Sequence, residues 1–258
     1  MGRSSAGDGA ADSSAKGGKL RILVFSGAGI SAESGLGTFR DKGGLWEKFR
    51  PQDLATPEAF ARNPQLVWGW YAERFRAMQA AEPNAAHREC AIWERDFASV
   101  TVVTQNIDRL HQRAGSSNVL ELHGTIWEAR CNRCGRRIDM ASAVDLQPGG
   151  GPPRCPCGGW MRPDVVWCGE QLPEDTFERA VEEASRCGVF LAVGTSATVY
   201  PAAGLIEVAA SAGATVIEVN REETPLSRLA HRTVREAAGV ALPRLTEELR
   251  RMAGKARP

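Results

Sequence analysis

The first strong apolar run, Ile22-Leu23-Val24-Phe25, is short, contains β-branched residues and is closed at once by Gly27-Ala28-Gly29. A run of that kind predicts a strand buried on both faces. The glycines predict a tight turn, and Ile30-Ser31-Ala32-Glu33 a helix start that Ser34-Gly35-Leu36-Gly37 stops early. From Pro51 to Met78 the period becomes helical. Thr56 caps a helix that begins at Pro57, and Asn63-Pro64 opens a second. The apolar stripe of the second runs through Val67, Trp70/Tyr71, Phe75 and Met78. Another amphipathic helix follows Asn84.

Beyond it one arrangement recurs: an apolar strand whose carboxyl end meets small or polar residues. Phe97 to Val103 leads into Thr104-Gln105-Asn106-Ile107-Asp108, and Val119 to Leu122 into His123-Gly124. Gly188 to Val193 leads into Gly194-Thr195-Ser196, and Val216 to Val219 into Asn220-Arg221-Glu222. In open α/β sheets ligands bind beyond the carboxyl ends of the strands. The pattern therefore predicts an α/β fold, a Rossmann-like doubly wound parallel sheet. Its expected parts are a disordered tail at 1–19, the sheet domain from 20–46, 83–126 and 161–253, a helical module at 47–82, and a small inserted zinc-ribbon domain at 127–160.

At 258 residues the chain is long enough for one large domain with a small one. Its net charge of +1 gives no electrostatic footprint for nucleic acid or an anionic membrane. No apolar run approaches the roughly 20 residues that span a bilayer. The N-terminal stretch lacks the apolar segment of a signal peptide, so the cytoplasm is the expected location. A monomer is expected.

The spacing Gly27-x-Gly29-x-x-Ala32 fits a dinucleotide loop: glycines admit a phosphate, and a helix N-terminus favours its charge. The same loop also reads as a sharp turn. An ordinary dehydrogenase is disfavoured, because Glu47 has the spacing of the ribose-binding acid but no strand to carry it, and Asp41 to Trp46 reads as a mobile loop. Cys131-x-x-Cys134 and Cys155-x-Cys157, with 20 residues between Cys134 and Cys155, suit a closed structural zinc site better than free thiols. The second pair is one residue shorter than usual. His123, at a strand end, is a candidate base, with a structural role as the alternative. Tyr71 and Arg74 share a helix face; spacing alone favours a core tyrosine beside a snorkelling arginine.

These motifs, in order, resemble the sirtuins, NAD-dependent protein-lysine deacylases, from about Lys19 to near the C-terminus. The matching stretches are Gly27 to Ser31 through Thr38-Phe39-Arg40, Thr104 to Asp108, Leu122-His123-Gly124, the cysteine pairs, Arg162-Pro163-Asp164-Val165-Val166-Trp167, Gly194-Thr195-Ser196 and Asn220-Arg221-Glu222. The resemblance implies NAD as a consumed co-substrate, one structural zinc and an acylated-lysine protein or peptide as partner. It implies an NAD set of Gly27, Ala28, Gly29, Ile30, Ser31, Thr38, Phe39, Arg40, Trp46, Gln105, Asn106, Ile107, Asp108, Gly194, Thr195, Ser196, Asn220, Arg221, Glu222 and Ala238. Asn106 and Asp108 would hold the nicotinamide carboxamide. The acyl oxygen would attack the ribose carbon as nicotinamide leaves, with His123 as general base and Asn106 beside it. The peptide would add as a strand near Val165, Val166 and Trp167 and near Gly194 to Thr198.

Tyr71-x-x-Arg74 also resembles the class III sirtuins, whose pair receives an acidic acyl group; an arginine fork beside a phenol suits a carboxylate. Ala55 and Ala59 resemble the small residues that widen that pocket. The resemblance thus implies a desuccinylase or demalonylase with weaker deacetylation. Departures are Gly37 for a usual proline, Cys168 for a common phenylalanine, and the short cysteine pair. Alternatives are mono-ADP-ribosyl transfer to protein, hydride transfer, and a non-enzymatic NAD or zinc-ribbon binding module.

Overall fold

The computed structural model describes residues 20–38, 50–145 and 150–254. The expectations for the tail 1–19, for Phe39 and Arg40, for the loop from Asp41 to Trp46 and for Glu47 fall outside the described residues. Within them lie nine strands: β1 (Arg21–Ser26), β2 (Ser99–Thr104), β3 (Val119–Glu121), β4 (Gly124–Cys131), β5 (Arg137–Asp139), β6 (Met161–Val165), β7 (Val189–Val193), β8 (Thr215–Val219) and β9 (Arg232–Val234). Six form one sheet in the order β3-β2-β1-β7-β8-β9, every pair parallel. Chain order reverses between β1 and β7, which makes that junction the topological switch point where such sheets bind ligands.

The continuous apolar runs of β1 and β7 are explained by cover on both faces. Ile22 and Val24 pack with Trp93 of helix Ala85–Asp96 and Leu242 of helix Ala238–Met252. Leu23 and Phe25 pack on the opposite face with Ala180 and Ile206 of helices Glu174–Arg186 and Gly204–Ser211. A third core joins helix Pro64–Ala80 to the small antiparallel sheet β5-β4-β6, through Tyr71, Phe75, Ile126, Met140, Met161 and Trp167. Among the described residues no helix is long and apolar enough to cross a membrane.

Four local expectations change. The stretch from Met161 to Val165 does not return to the large sheet; as β6 it pairs antiparallel with β4, Gly124 opposite Val165 and Cys131 opposite Met161. The small sheet therefore extends beyond 127–160 at both ends. Gly124 permits this junction: its φ is +69°, and a Cβ there would lie 2.3 Å from the Asp164 carbonyl oxygen. The turn after β1 winds as a 3-10 helix, Ala28–Ser34, ended by Gly35 at φ +82°. In helix Pro64–Ala80 Trp68 is fully buried while Trp70 is only partly so. Strand β9 is short, polar and at the sheet edge, so no apolar pattern announces it.

Candidate active site

The loops after β1 and β7 meet at the switch point. Gly27 N donates to the Val193 carbonyl at 3.0 Å and Gly29 N to the Gly194 carbonyl at 2.8 Å. A Cβ on Gly29 would stand 2.7 Å from Gly194 Cα, and one on Gly194 only 2.3 Å from Ile30 N. Gly194 also has φ +58°. These glycines are thus required by backbone-to-backbone contact, and the surface they leave is a bare peptide cradle of the sort a pyrophosphate approaches. The neighbouring helix N-terminus at Ala238 is buried, and Glu33 from the 3-10 helix accepts from Gly239 N at 2.7 Å. That terminus is therefore satisfied by the chain's own carboxylate.

Three strand ends are tied together by side chains. Gln105 Nε2, after β2, donates to Thr195 Oγ1 at 2.9 Å; Asn220 Nδ2, after β8, donates to the Thr195 carbonyl at 2.9 Å. Ser196 stands beside them, while Arg221 and Glu222 project outward as exposed residues. Asn106 Nδ2 donates at 3.1 Å to the Gly27 carbonyl and to Ser31 Oγ. Ser31 Oγ in turn donates to Asp108 Oδ2 at 2.7 Å. Burial raises the Asp108 carboxyl above its ordinary range, against the pull of the Leu110 N–H and the Ser31 hydroxyl. Behind them His87 takes the Asn84 N–H on Nδ1, so its Nε2 carries the proton that faces Ser31 Oγ at 3.4 Å. Burial lowers His87 to about 4. His87 was not singled out from sequence; its signal was the capping position three residues after Asn84.

His123 lies just past β3. Its Nδ1 is 2.9 Å from the Gln105 carbonyl, which can only accept, so Nδ1 holds the proton and Nε2 presents a lone pair. Burial lowers its pKa, with the carbonyl acting in the opposite sense. The His123 carbonyl accepts from Val166 N at 2.9 Å, which ties this residue to the loop after β6. On β6 itself Arg162, buried and given no role of its own from sequence, stacks on the Trp167 ring of that loop at 3.3 Å. It also forks onto Glu170 at 2.5 and 2.9 Å, and Glu170 accepts from Trp167 N at 2.9 Å. Trp167 is therefore fixed, and its Nε1 donates to Tyr71 Oη at 3.0 Å.

One helical turn on, Arg74 faces the Trp70 ring at 5.0 Å. Burial lowers its pKa, while the neighbouring Tyr71 and Asp108 act the other way. Burial raises the Tyr71 phenol, which stays neutral. The helix thus carries a neutral hydroxyl and a cation to the junction of Trp167 and Asp108. Ala55 and Ala59 are buried nearby, and the Ala55 carbonyl accepts from Cys168 N at 2.9 Å, leaving Cys168 exposed.

The four cysteines converge at the end of the small sheet. Cys131 and Cys157 sulfurs are 3.5 Å apart, Cys134 and Cys155 3.7 Å, and all four lie within 4.8 Å of one another. Tetrahedral zinc–thiolate bonds near 2.3 Å place sulfurs roughly 3.8 Å apart, so the set fits a closed structural zinc. The short pair is accommodated by Gly158 at φ +86° and by Gly159, where a Cβ would lie 2.7 Å from Cys131 Sγ.

A doubly wound sheet with glycine-lined strand ends at its switch point, a neutral histidine beside them and a zinc-fit module is the architecture of a dinucleotide-dependent enzyme of two lobes. The model of the Sir2 family matches residues 27–201. A protein of Mycolicibacterium paratuberculosis named NAD-dependent protein deacylase is 52% identical over 237 residues, covering 89% of this chain and 98% of that one. A solved complex of a Sir2 homolog with NAD superimposes with a TM-score of 0.83 at 42% identity, covering 92% of each chain. A Sir2 complex with a p53 peptide and NAD+ does so with a TM-score of 0.81 at 33% identity, over 89% of this chain and 93% of that one. The chain belongs to the Sir2 family, the sirtuins.

Proposed function

We propose that this sirtuin, an NAD-dependent protein deacylase, removes succinyl and malonyl groups from lysine in preference to acetyl. The observation that carries the preference is the Tyr71–Arg74 turn: a neutral phenol and a cation, one turn apart, between Trp167 and Asp108. A planar guanidinium with a hydroxyl beside it matches a carboxylate in shape and charge. An acetyl group offers that pair nothing.

NAD, when bound, would supply a ribose carbon at which the acyl oxygen, still joined to its acyl carbon, forms a bond as the bond to nicotinamide breaks. In this reading the glycine cradle and the Thr195 and Asn220 strand ends hold the dinucleotide, and Asn106 with Asp108 orients the carboxamide. His123 accepts a proton at Nε2, since Nδ1 is committed to the Gln105 carbonyl. The loop from Val165 to Gly169 receives the peptide as an added strand. The four cysteines hold zinc with no open ligand position, so the metal braces the small sheet.

Nicotinamide release with matched succinyl- and acetyl-lysine peptides tests the preference. Arg74→Met should lower kcat/KM for the succinyl peptide by about a hundredfold, the loss of a charge-assisted pair in a dry pocket, and leave the acetyl peptide within a few-fold. Equal losses on both peptides return Arg74 to a packing role.

A further inference from the structure

Across the small sheet three arginines stand side by side: Arg130 on β4 is registered opposite Arg137 on β5 and opposite Arg162 on β6. Like charges directly opposite one another are unfavourable in a sheet. The row is held by acids, and the acids reach beyond it. Asp164 binds Arg137 at 2.6 Å and Arg130 at 2.9 Å. Glu170, in the loop after β6, binds Arg130 at 3.5 Å and Arg162 at 2.5 Å. Glu128 lies 3.9 Å from Arg137 and 3.0 Å from Arg109, and Arg109 continues to Glu121 at 3.6 Å.

The ends of this chain of contacts fall at the two substrate loops. Arg109 directly follows Asp108 and holds φ +56°, a conformation costly for a residue with a Cβ. Glu170 accepts from Trp167 N and closes the loop that reaches Tyr71. The middle of the chain is exposed and the Arg162 end is buried. Exposed pairs add little stability. Their continuity from one loop to the other therefore needs a different account.

We propose that this arginine row and its acids couple the two substrate loops, so that a peptide seated against the loop after β6 tightens the hold of the Asn106 to Asp108 loop on NAD. Glu128 and Arg130 act as positioning residues: neither touches substrate, and each joins one loop to the row. The proposal rests on NAD-dependent deacylation and is independent of the acyl preference.

The test is calorimetric binding of carba-NAD, whose nicotinamide cannot leave, to the zinc-loaded full chain with and without a saturating acyl-lysine peptide. In the unaltered chain the peptide should tighten carba-NAD by about fivefold or more, the usual lower range of such coupling. In Glu128→Gln and Arg130→Met the gain should fall to about twofold or less, with peptide-free affinity within about twofold of the original. Arg130→Lys should restore part of it. Because a substitution in the row can unfold the small sheet, the unaltered chain is also titrated with salt, which should erode the gain through the exposed middle links. No gain in the unaltered chain, or a gain untouched by both substitutions and by salt, overturns the proposal. If carba-NAD binds but the acyl-lysine peptide does not bind even to the carba-NAD-saturated chain, the deacylase reading and this one fall together.

Discussion

At His123 the Gln105 carbonyl removes one ring nitrogen from the chemistry and fixes the plane in which the other lies. In the proposed reaction the base is the neutral ring, and burial favours neutrality. The acid limb of kcat/KM against pH should therefore fall below the ordinary histidine value of 6.5, with activity lost as pH drops through the lowered pKa. A limb at or above 6.5 would assign it to another group. His123→Asn should cost about a hundredfold or more in turnover, the usual range for a positioned base. His87 and His111 are a different case. Their rings lie 4.9 Å apart and both are buried neutral, His87 near 4. Between pH 6.5 and 4 the unfolded chain takes up protons that the folded chain refuses. Stability should thus be full above 6.5 and decline by up to about 1.4 kcal/mol per unit for each ring below it. Thermal unfolding at pH 7.5 and 5.5 measures this, and equal midpoints would contradict it.

At the scale of elements, the cradle depends on two loops that touch through main chain. Gly194→Ala places a methyl against Ile30 N and forces a left-handed φ on alanine. The expected result is a chain that binds NAD about tenfold more weakly or worse, for a strain of about 1–2 kcal/mol, measured by titration with carba-NAD. The main strands and the glycine turn were legible in sequence because an apolar run ending in glycine has few other meanings. So was the start of helix Pro57–Arg62, where Thr56 accepts from Ala59 N at 3.0 Å. What escaped were features made by tertiary pairing. Strand β6 reads like any other strand, and only its partner β4 places it in the small sheet. Arg162 carries no periodic signal; its role depends on a tryptophan and a glutamate that fold back onto it. Tyr71 and Arg74 were visible as a pair: spacing alone pointed to a core tyrosine and the family resemblance to an acyl pocket, and the structure buries Tyr71 in the core of the small sheet with Trp167 Nε1 donating to its hydroxyl.

For the whole molecule, the small sheet and helix Pro64–Ala80 share one core, while the large sheet has two of its own. Zinc loss should accordingly loosen the small sheet and helix Pro64–Ala80 before it reaches the large sheet. With chelator, hydrogen exchange should quicken first in β4, β6 and the Tyr71 helix, and β1 and β7 should stay protected. Uniform loss of protection would mean that the two lobes fold as one unit.

The hydrogen bond from Gly239 to Glu33 joins the turn after the first strand to the last helix, and Gly27 needs the Val193 carbonyl as well. During synthesis the turn at 27–35 leaves the ribosome early, but the partners that shape it follow much later. A nascent chain carries the sequence of this glycine turn long before it carries the turn itself. A chain cut short before Val193 and Gly239 would carry the turn without the groups that hold its shape, so folding of this turn has to wait for residues about 160 to 210 positions further on.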